Sequence, residues 1–400
     1  MGEWKIKRIN QLGEISRGRS RHRPRDDKSL YGGEYPFVQT GDVKASEFYL
    51  SKYSQTYNEK GLAQSKLWKK GTLCITIAAN IAETAILDID ACFPDSIVGF
   101  IPFDDEADVR FVKYSFDMLK KEMQLASLGA TQDNFSVEKM LKFKFIVPDF
   151  KKQKRVSDIL STYDDLIENN NRRVELLEKA AQELYKEWFV RFRFPNHENT
   201  KFVNGLPEGW EVRRVKEYGR VETGKTPPTS DPDNYSNEIM FVKTPDMHGN
   251  SFVIETEEWL SFKGHKTQPK KLLPENSIMV SCIGTGGVVA INSSKAHTNQ
   301  QINSIIPDDA KYLEWLYFTC KSLKETIELF GATGATMTNL SKGKFEKLKV
   351  INPSKGLVYN FSEKINPIFI EIKNLMKQNQ NLKKQRDLLL PRLMSGRLEV

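Results

Sequence analysis

From Val156 to Trp188, seam residues recur at alternating steps of four and three: Val156, Leu160, Tyr163, Ile167, Asn170, Val174, Leu177, Ala181, Leu184 and Trp188. Asn170 is the one polar exception, and no Pro or Gly interrupts the run. This is the heptad seam of a coiled coil. About forty residues of helix at roughly 1.5 Å each make a rod on the order of 60 Å long. A rod alone in mid-chain must bury its seam on something.

The chain supplies a second seam: Ile365, Ile368, Ile372, Leu375, Asn379, Leu382, Arg386, Leu389 and Leu393. Pro367 has no N–H to donate, so this helix is expected to start or kink there, and Pro391 to mark its end. The simplest closure pairs the two helices antiparallel. Asn170, Asn379 and Arg386 would cost stability but fix register.

The rest of the chain is written twice. Trp4-Lys-Ile-Lys-Arg answers Trp210-Glu-Val-Arg-Arg, Gly18-Arg-Ser answers Gly224-Lys-Thr, and Phe37-Val-Gln-Thr-Gly-Asp answers Phe241-Val-Lys-Thr-Pro-Asp. Gly71 to Thr76 faces Asn276 to Ser281, Asp95 to Pro102 faces Gln300 to Pro307, Leu128-Gly-Ala-Thr faces Phe330-Gly-Ala-Thr, and Phe145 to Pro148 faces Val350 to Pro353. The offset stays between 202 and 206. An ordered series at near-constant offset is a duplication, and two copies are a domain repeat rather than a solenoid.

Within each copy, short apolar runs bounded by Gly, Pro, Asn or Asp read as strands: Leu73 to Ala78, Ile97 to Ile101, Phe143 to Val147 and Ile278 to Cys282. Long polar loops lie at Arg17 to Glu34 and Thr226 to Asn237, and shorter helices are expected near Val109 to Leu125 and Leu313 to Leu329. The expected fold is α+β: two mixed α/β globules separated by two long helices in an antiparallel coiled coil, with an internal pseudo-twofold. The expected segments are a globule over 1–150, a helix over 151–193, a linker over 194–209, a second globule over 210–355, and a helix with its tail over 356–400.

Net charge is +8 and pI about 9.0, which favours an anionic partner or simply solubility. Cys74, Cys92, Cys282 and Cys320 are scattered, so no zinc site is implied and a reducing, cytoplasmic setting is expected. The opening Met-Gly-Glu-Trp-Lys does not read as a signal peptide, and no apolar run of about eighteen residues suggests a membrane span.

One catalytic-looking motif is present. Gly219-Arg-Val-Glu-Thr-Gly-Lys-Thr226 matches a phosphate-binding loop, but Pro227 and Pro228 follow where a helix should open. The first copy has Gly13-Glu-Ile-Ser-Arg-Gly-Arg-Ser20 there, so both read as a strand running into a basic loop. No dinucleotide fingerprint, adenine-methyltransferase tetrapeptide, metal cluster or carboxylate constellation occurs. The five His stand singly in polar surroundings.

What remains is basic, polar and loop-borne. Arg17, Arg19, Arg21, Arg23 and Arg25 alternate through one loop. Guanidinium pairs bidentately with phosphate and with guanine O6 and N7; a solvated loop partly neutralised by Asp26 and Asp27 is the plainer reading. The matching loop of the second copy, Lys225-Thr226-Pro-Pro-Thr-Ser, is less basic and richer in hydroxyls. Further candidates for DNA contact lie at corresponding places: Thr40 and Lys44 with Lys243, Thr244 and His248; Asn80 with Thr285; Gln132 and Asn134 with Thr336 and Asn339. Turn caps or loop hydrogen bonds would explain these equally. Tyr185, Trp188, Phe189, Phe192 and Phe194 either dock the helix end on a globule or meet another subunit.

This organisation, with the closing Leu388-Leu-Leu-Pro-Arg-Leu-Met-Ser-Gly-Arg397, resembles the specificity (S) subunit of Type I restriction-modification systems over essentially the whole chain. There are departures: the first helix ends Trp188-Phe-Val-Arg-Phe, and the usual Glu-Gln at the helix entrance is Lys152-Gln153 in the first copy and missing in the second. The resemblance implies a non-catalytic subunit reading double-stranded DNA, each globule taking half of a bipartite target. The seam, principally Leu160, Ile167, Asn170, Val174, Leu177, Leu184, Ile372, Leu375, Asn379, Leu382 and Leu389, would then set the unread gap. It also implies two modification subunits using S-adenosylmethionine, and restriction subunits using ATP and Mg. A P-loop nucleotide-binding protein and a structural coiled-coil protein are the alternatives.

Overall fold

A computed structural model describes residues 4–128, 135–332 and 338–400. The chain forms two compact units, Met1–Glu168 with Asn381–Val400, and Asn169–Gln380. Both long helices, Phe150–Tyr185 and Lys355–Met394, are therefore divided, so each unit combines one globule with part of each helix. That partition cuts across the five segments expected above.

In the first unit a five-stranded sheet runs in the order Gly13–Arg17, Ile97–Pro102, Leu73–Thr76, Thr84–Leu87, Tyr49–Leu50, antiparallel except for the last pair. Its central strands are buried on both faces, so they read as continuous apolar runs rather than alternating ones. Leu73, Ile75 and Ile86 point to a core shared with the helix Val109–Leu128 and with Val156, Leu160, Leu393 and Met394 of the long helices. Cys74, Ala85 and Leu87 point the other way, to Trp68 and Phe93. Gly99 is required there, because a Cβ would sit 2.5 Å from the Trp68 ring. A smaller sheet of Gln55–Tyr57, Tyr31–Phe37, Ala91–Cys92 and Leu67–Trp68 flanks this second core.

The second unit repeats the frame: Gly219–Thr223, Ile302–Pro307, Ile278–Ser281, Val289–Asn292, Phe252–Val253, with the same directions. Even register is kept, since Gly13 faces Pro102 and Gly219 faces Pro307. A Cβ at either glycine would lie 2.2 Å from the opposing carbonyl, of Ile101 or Ile306. The expected helix near 313–329 is broken at Leu323 into Leu313–Ser322 and Lys324–Gly331.

The seams are buried as their period requires. Leu160 and Ile167 lie in the first unit's interior, with Leu389 half-buried and packed on the Leu160 core. Ile372 and Leu375 are buried in the second unit, where Val174, Leu177 and Leu184 are half-buried against the same core as Ile372. Leu382 is half-buried. Within the second unit Asn170 meets Asn379 and Arg173 meets Glu371, so the helices run antiparallel. Within the first, Arg386 meets Asp164.

Of the start or kink expected at Pro367, a start is not found, and the end expected at Pro391 is corrected. The second helix begins twelve residues before Pro367 and continues through both prolines to Met394. Both prolines and Glu363 are exposed, so solvent can take up the carbonyl that Pro367 leaves unbonded. The buried Ile365, Phe369 and Ile372 on the other face outweigh that loss.

The first helix ends in a π-helical turn, Lys186–Val190, with the Arg191 N–H bonded to the Lys186 carbonyl at 2.8 Å. Of the two readings for its terminal aromatics, docking on a globule is the one observed. Tyr185, Trp188, Phe189 and Phe194 are buried in the second unit's core, where Phe189 meets Phe361 edge-on at 5.1 Å. All four cysteines are free and buried. Among the described residues no helix is long and apolar enough to cross a membrane.

Candidate nucleic-acid interface

The arginine loop of the first unit leaves its strand at Arg17 through Gly18. The Gly18 N–H bonds the Ile97 carbonyl at 2.8 Å and the Arg19 N–H bonds that of Phe93 at 3.0 Å. A Cβ on Gly18 would lie 2.3 Å from the Phe93 and Pro94 oxygens, so only glycine passes. The loop is then tied down by the Gln64 amide oxygen, which accepts the Arg21 and His22 N–H groups at 2.6 and 3.1 Å, and by Ser65, whose hydroxyl donates to the Arg19 carbonyl at 2.8 Å.

All five arginines are exposed, but they are not equivalent. Arg23 folds back, donating to the Ser20 and His22 carbonyls at 2.7 and 2.8 Å. Arg25 pairs with Asp95 at 2.8 Å. Arg17 lies near Glu138, whose carboxyl is held low chiefly by the Ser136 hydroxyl. The guanidinium groups of Arg19 and Arg21 make no hydrogen bond or ion pair among the described residues. Asp27 is already engaged: it accepts the Ser29 N–H and pairs with His22 at 2.8 Å, and these contacts lower its pKa, the Ser29 backbone bond most.

Beside the loop is a cleft of about 580 Å³ lined by Ser20, Arg25, Lys28, Tyr31, Gln39 and Gln55. Gln39 donates to Gln55 at 2.6 Å, and its backbone N–H is capped by Asp42 at 2.7 Å, which fixes the start of the helix Thr40–Ala45. Lys44, on that helix, reaches Asn80 at 3.3 Å, so two candidates far apart in the chain come together. Asn80 stands in a turn with Ala79 and Ala82 at positive φ, closed by the Thr76 hydroxyl donating to the Asn80 carbonyl.

The second unit has the same parts with other chemistry. The Gly224 and Lys225 N–H groups bond the Ile302 and Thr298 carbonyls at 3.2 and 3.0 Å. Lys225 is exposed, and Thr226 donates to Gln300 at 2.6 Å. Lys243 is ion-paired with Glu258, and its N–H is capped by Asp246 at 2.7 Å, as Gln39 is by Asp42. Thr244 is buried and turned toward Gln301 at 3.4 Å, which leaves His248 as the exposed member of that group. The Thr285 turn is closed by the Ser281 hydroxyl at 2.6 Å, repeating the Thr76 arrangement. Asn339 lies on a short strand paired with Ile283–Gly284, beside that turn. The matching recess, about 460 Å³, is lined by Thr229, Tyr235, Glu257, Glu258 and Trp259. Where the first cleft sets cations and amides beside the single carboxylate of Asp26, the second offers two carboxylates and an indole. Gln132, Asn134 and Thr336 lie outside the described residues.

The phosphate-loop reading gains no support. Gly219–Thr223 is a strand, the Lys225 N–H is spent on Thr298, and the next helical element is a single turn at Pro232–Asn234. Among the described residues no group of three or more His, Cys, Asp or Glu is placed to hold a metal. Gln64, Gln39 and Gln55 escaped sequence reading, because their importance arises from hydrogen bonds to residues 16 to 43 positions away.

The model of the Type I restriction modification DNA specificity domain matches this chain twice, over residues 1–179 and 207–382, once per repeat. The Type I restriction enzyme HindI specificity subunit of Haemophilus influenzae is 30% identical, with 100% of both chains covered. The MjaIX specificity subunit of Methanocaldococcus jannaschii is 27% identical, covering 100% of this chain and 94% of its own. The crystal structure of a Type I restriction-modification S subunit from M. genitalium shares the fold, with a TM-score of 0.60 at 15% identity over 98% of this chain and 96% of that one. With its frame duplicated strand for strand and the family's domain present in both copies, the chain belongs to the Type I restriction-modification DNA specificity subunits.

Proposed function

We propose that each unit reads one half of a split, asymmetric DNA target, using the loop after the strand Gly13–Arg17 or Gly219–Thr223 and the recess beside it. The observation that supports this is one frame carrying two unlike surfaces: Arg19 and Arg21 unpaired beside a cleft with Gln39 and Gln55, against Lys225 and Thr226 beside a recess with Glu257 and Glu258. Arg reads guanine O6 and N7, Gln reads adenine, and carboxylates accept from cytosine N4. A conserved scaffold with different loops suits two different half-sites.

The paired helices act as the spacer that sets the unread gap. Half-sites read from one face must lie about one helical turn apart or a near multiple, roughly 34 Å centre to centre, and a stiff helix pair holds such a spacing where a flexible linker does not. Two modification subunits bind alongside and bring S-adenosylmethionine and adenine methylation. Restriction subunits add translocation and cleavage with ATP and Mg. This chain supplies recognition without catalysis, in the cytoplasm.

The test is methylation-site mapping in cells carrying the chain with its modification subunit. Exchanging residues 1–150 for another recognition globule changes one half-site only; a change in both would defeat the modular reading. Equal insertions in both long helices lengthen the gap and leave the half-site bases unchanged. An unaltered gap would defeat the spacer reading.

A further inference from the structure

The two recognition loops share their exit from the sheet but not their anchorage. After Gly18 and Gly224 they make matching backbone bonds, then diverge. In the first unit the Gln64 amide oxygen holds both the Arg21 and the His22 N–H groups. At the same distance after Gly224 stand Pro227 and Pro228, which have no N–H to offer. The glutamine that follows the matching short helix, Gln268, is 4% exposed, and neither its amide oxygen nor its nitrogen has a hydrogen-bond partner among the described residues. The second loop is held by its carbonyls instead: Tyr235 donates to Pro227 and Asn234 to Pro228, each at 3.0 Å.

We propose that Gln64 is a positioning residue for base recognition by the first unit. Its amide oxygen fixes the backbone from which Arg19 and Arg21 project, while the restricted φ of Pro227 and Pro228 does that work in the second unit and leaves Gln268 without it. Bidentate contact to a base edge demands a guanidinium aimed in plane. A loop ordered before binding avoids meeting the ordering cost at the base pair. The acceptor is the operative atom, because the Gln64 amide nitrogen has no partner among the described residues. This inference rests on reading the arginine loop as a DNA reader.

The experiment compares Q64L, Q64E, Q268L and the double variant R19A/R21A in the full chain. Hydrogen exchange is followed by mass spectrometry on the purified protein, and methylated sites are mapped in cells carrying the modification subunit. In Q64L the peptide spanning residues 19–25 exchanges about tenfold faster at two amides. Discrimination at one half-site falls about tenfold, while the other half-site is read as before, which also reports that the chain is folded. Q64E, which keeps an acceptor, restores both readouts, and Q268L alters neither. If R19A/R21A degrades one half-site while Q64L leaves that half-site and the exchange unchanged, the role assigned to Gln64 is overturned. Loss of both half-sites in Q64L also counts against it, since positioning is confined to one loop. If R19A/R21A changes neither half-site, the DNA reading of the loop is what has failed, and the exchange result stands apart from it.

Discussion

Asn170 donates its side-chain N–H to the Asn379 Oδ1 at 2.9 Å, with both residues buried in the helix seam of the second unit. The pair is further satisfied: Asn170 also donates to Gln378 at 3.0 Å, and Asn379 donates to Asn171 at 2.8 Å. At the repeat offset of 205 the equivalent residues are Leu375 and Val174, both apolar. The Asn170–Asn379 layer is therefore polar while the layer equivalent to it by the repeat is apolar, the arrangement by which a coiled coil selects a single register.

Replacing Asn170 alone by Leu should leave the Asn379 amide short of a buried partner and cost about 1–3 kcal/mol. The double variant N170L/N379V, which copies the equivalent apolar pair, should cost less than the sum of its single changes. Calorimetric melting of all three variants and the parent measures this as a double-mutant cycle. Additive costs would show that the two amides are not coupled.

A second polar layer lies in the first unit. Asp164, 1% exposed, accepts from Arg386 and from the buried Tyr114 hydroxyl. Burial pushes its pKa above the ordinary 3.8, while Arg386 and Tyr114 pull it back. Because the net direction is upward, this group favours folding most below 3.8 and loses that contribution as pH rises through its folded value. Arg386→Met should therefore cost about 3–5 kcal/mol at neutral pH, by leaving a buried charge unpaired. The loss should shrink in acid, where Asp164 takes up a proton. Urea titrations at several pH values check this, and a loss of constant size would rule out the carboxylate as its source.

The seams were legible because many weak preferences add along a long period, so no single residue had to be decisive. The repeat was legible for the same reason. Pro367 misled because one local rule was weighed without knowing that its face is exposed and that Ile365 and Phe369 are buried opposite. Within the recognition loop, composition marked the arginines but could not sort them. Arg23 is spent on carbonyls of its own loop and Arg25 on Asp95, seventy residues away, leaving Arg19 and Arg21 unpaired. That sorting depends on long-range geometry that spacing does not carry.

His297 is fully buried, 2.9 Å from His265, and burial with the neighbouring imidazole lowers its pKa to about 4. The unfolded chain, titrating near 6.5, binds more protons between those values. Stability should fall as pH drops through that window, by up to about 1.4 kcal/mol for each pH unit. The first copy places Cys92 at the equivalent position, on the corresponding strand, so His297→Cys is a natural comparison. Melting of the second unit should lose this slope in the variant. A slope surviving in His297→Cys would assign it to another group.

Arg19 and Arg21 separate phosphate contact from base contact, since each predicts a different signature. A guanidinium on phosphate releases about one counterion, so removing it lowers the slope of log affinity against log salt by about one and weakens all sequences alike. A guanidinium on guanine contributes about 1–3 kcal/mol of discrimination at one base pair. The restrained backbone from which both side chains project favours base contact for this pair. The expectation for R19A and R21A, each measured singly, is selective loss at one half-site with little change in salt slope. Binding titrations over a range of salt, on cognate DNA and on DNA altered in either half-site, distinguish the two. A uniform loss with a slope reduced by about one would reassign both arginines to the phosphate backbone.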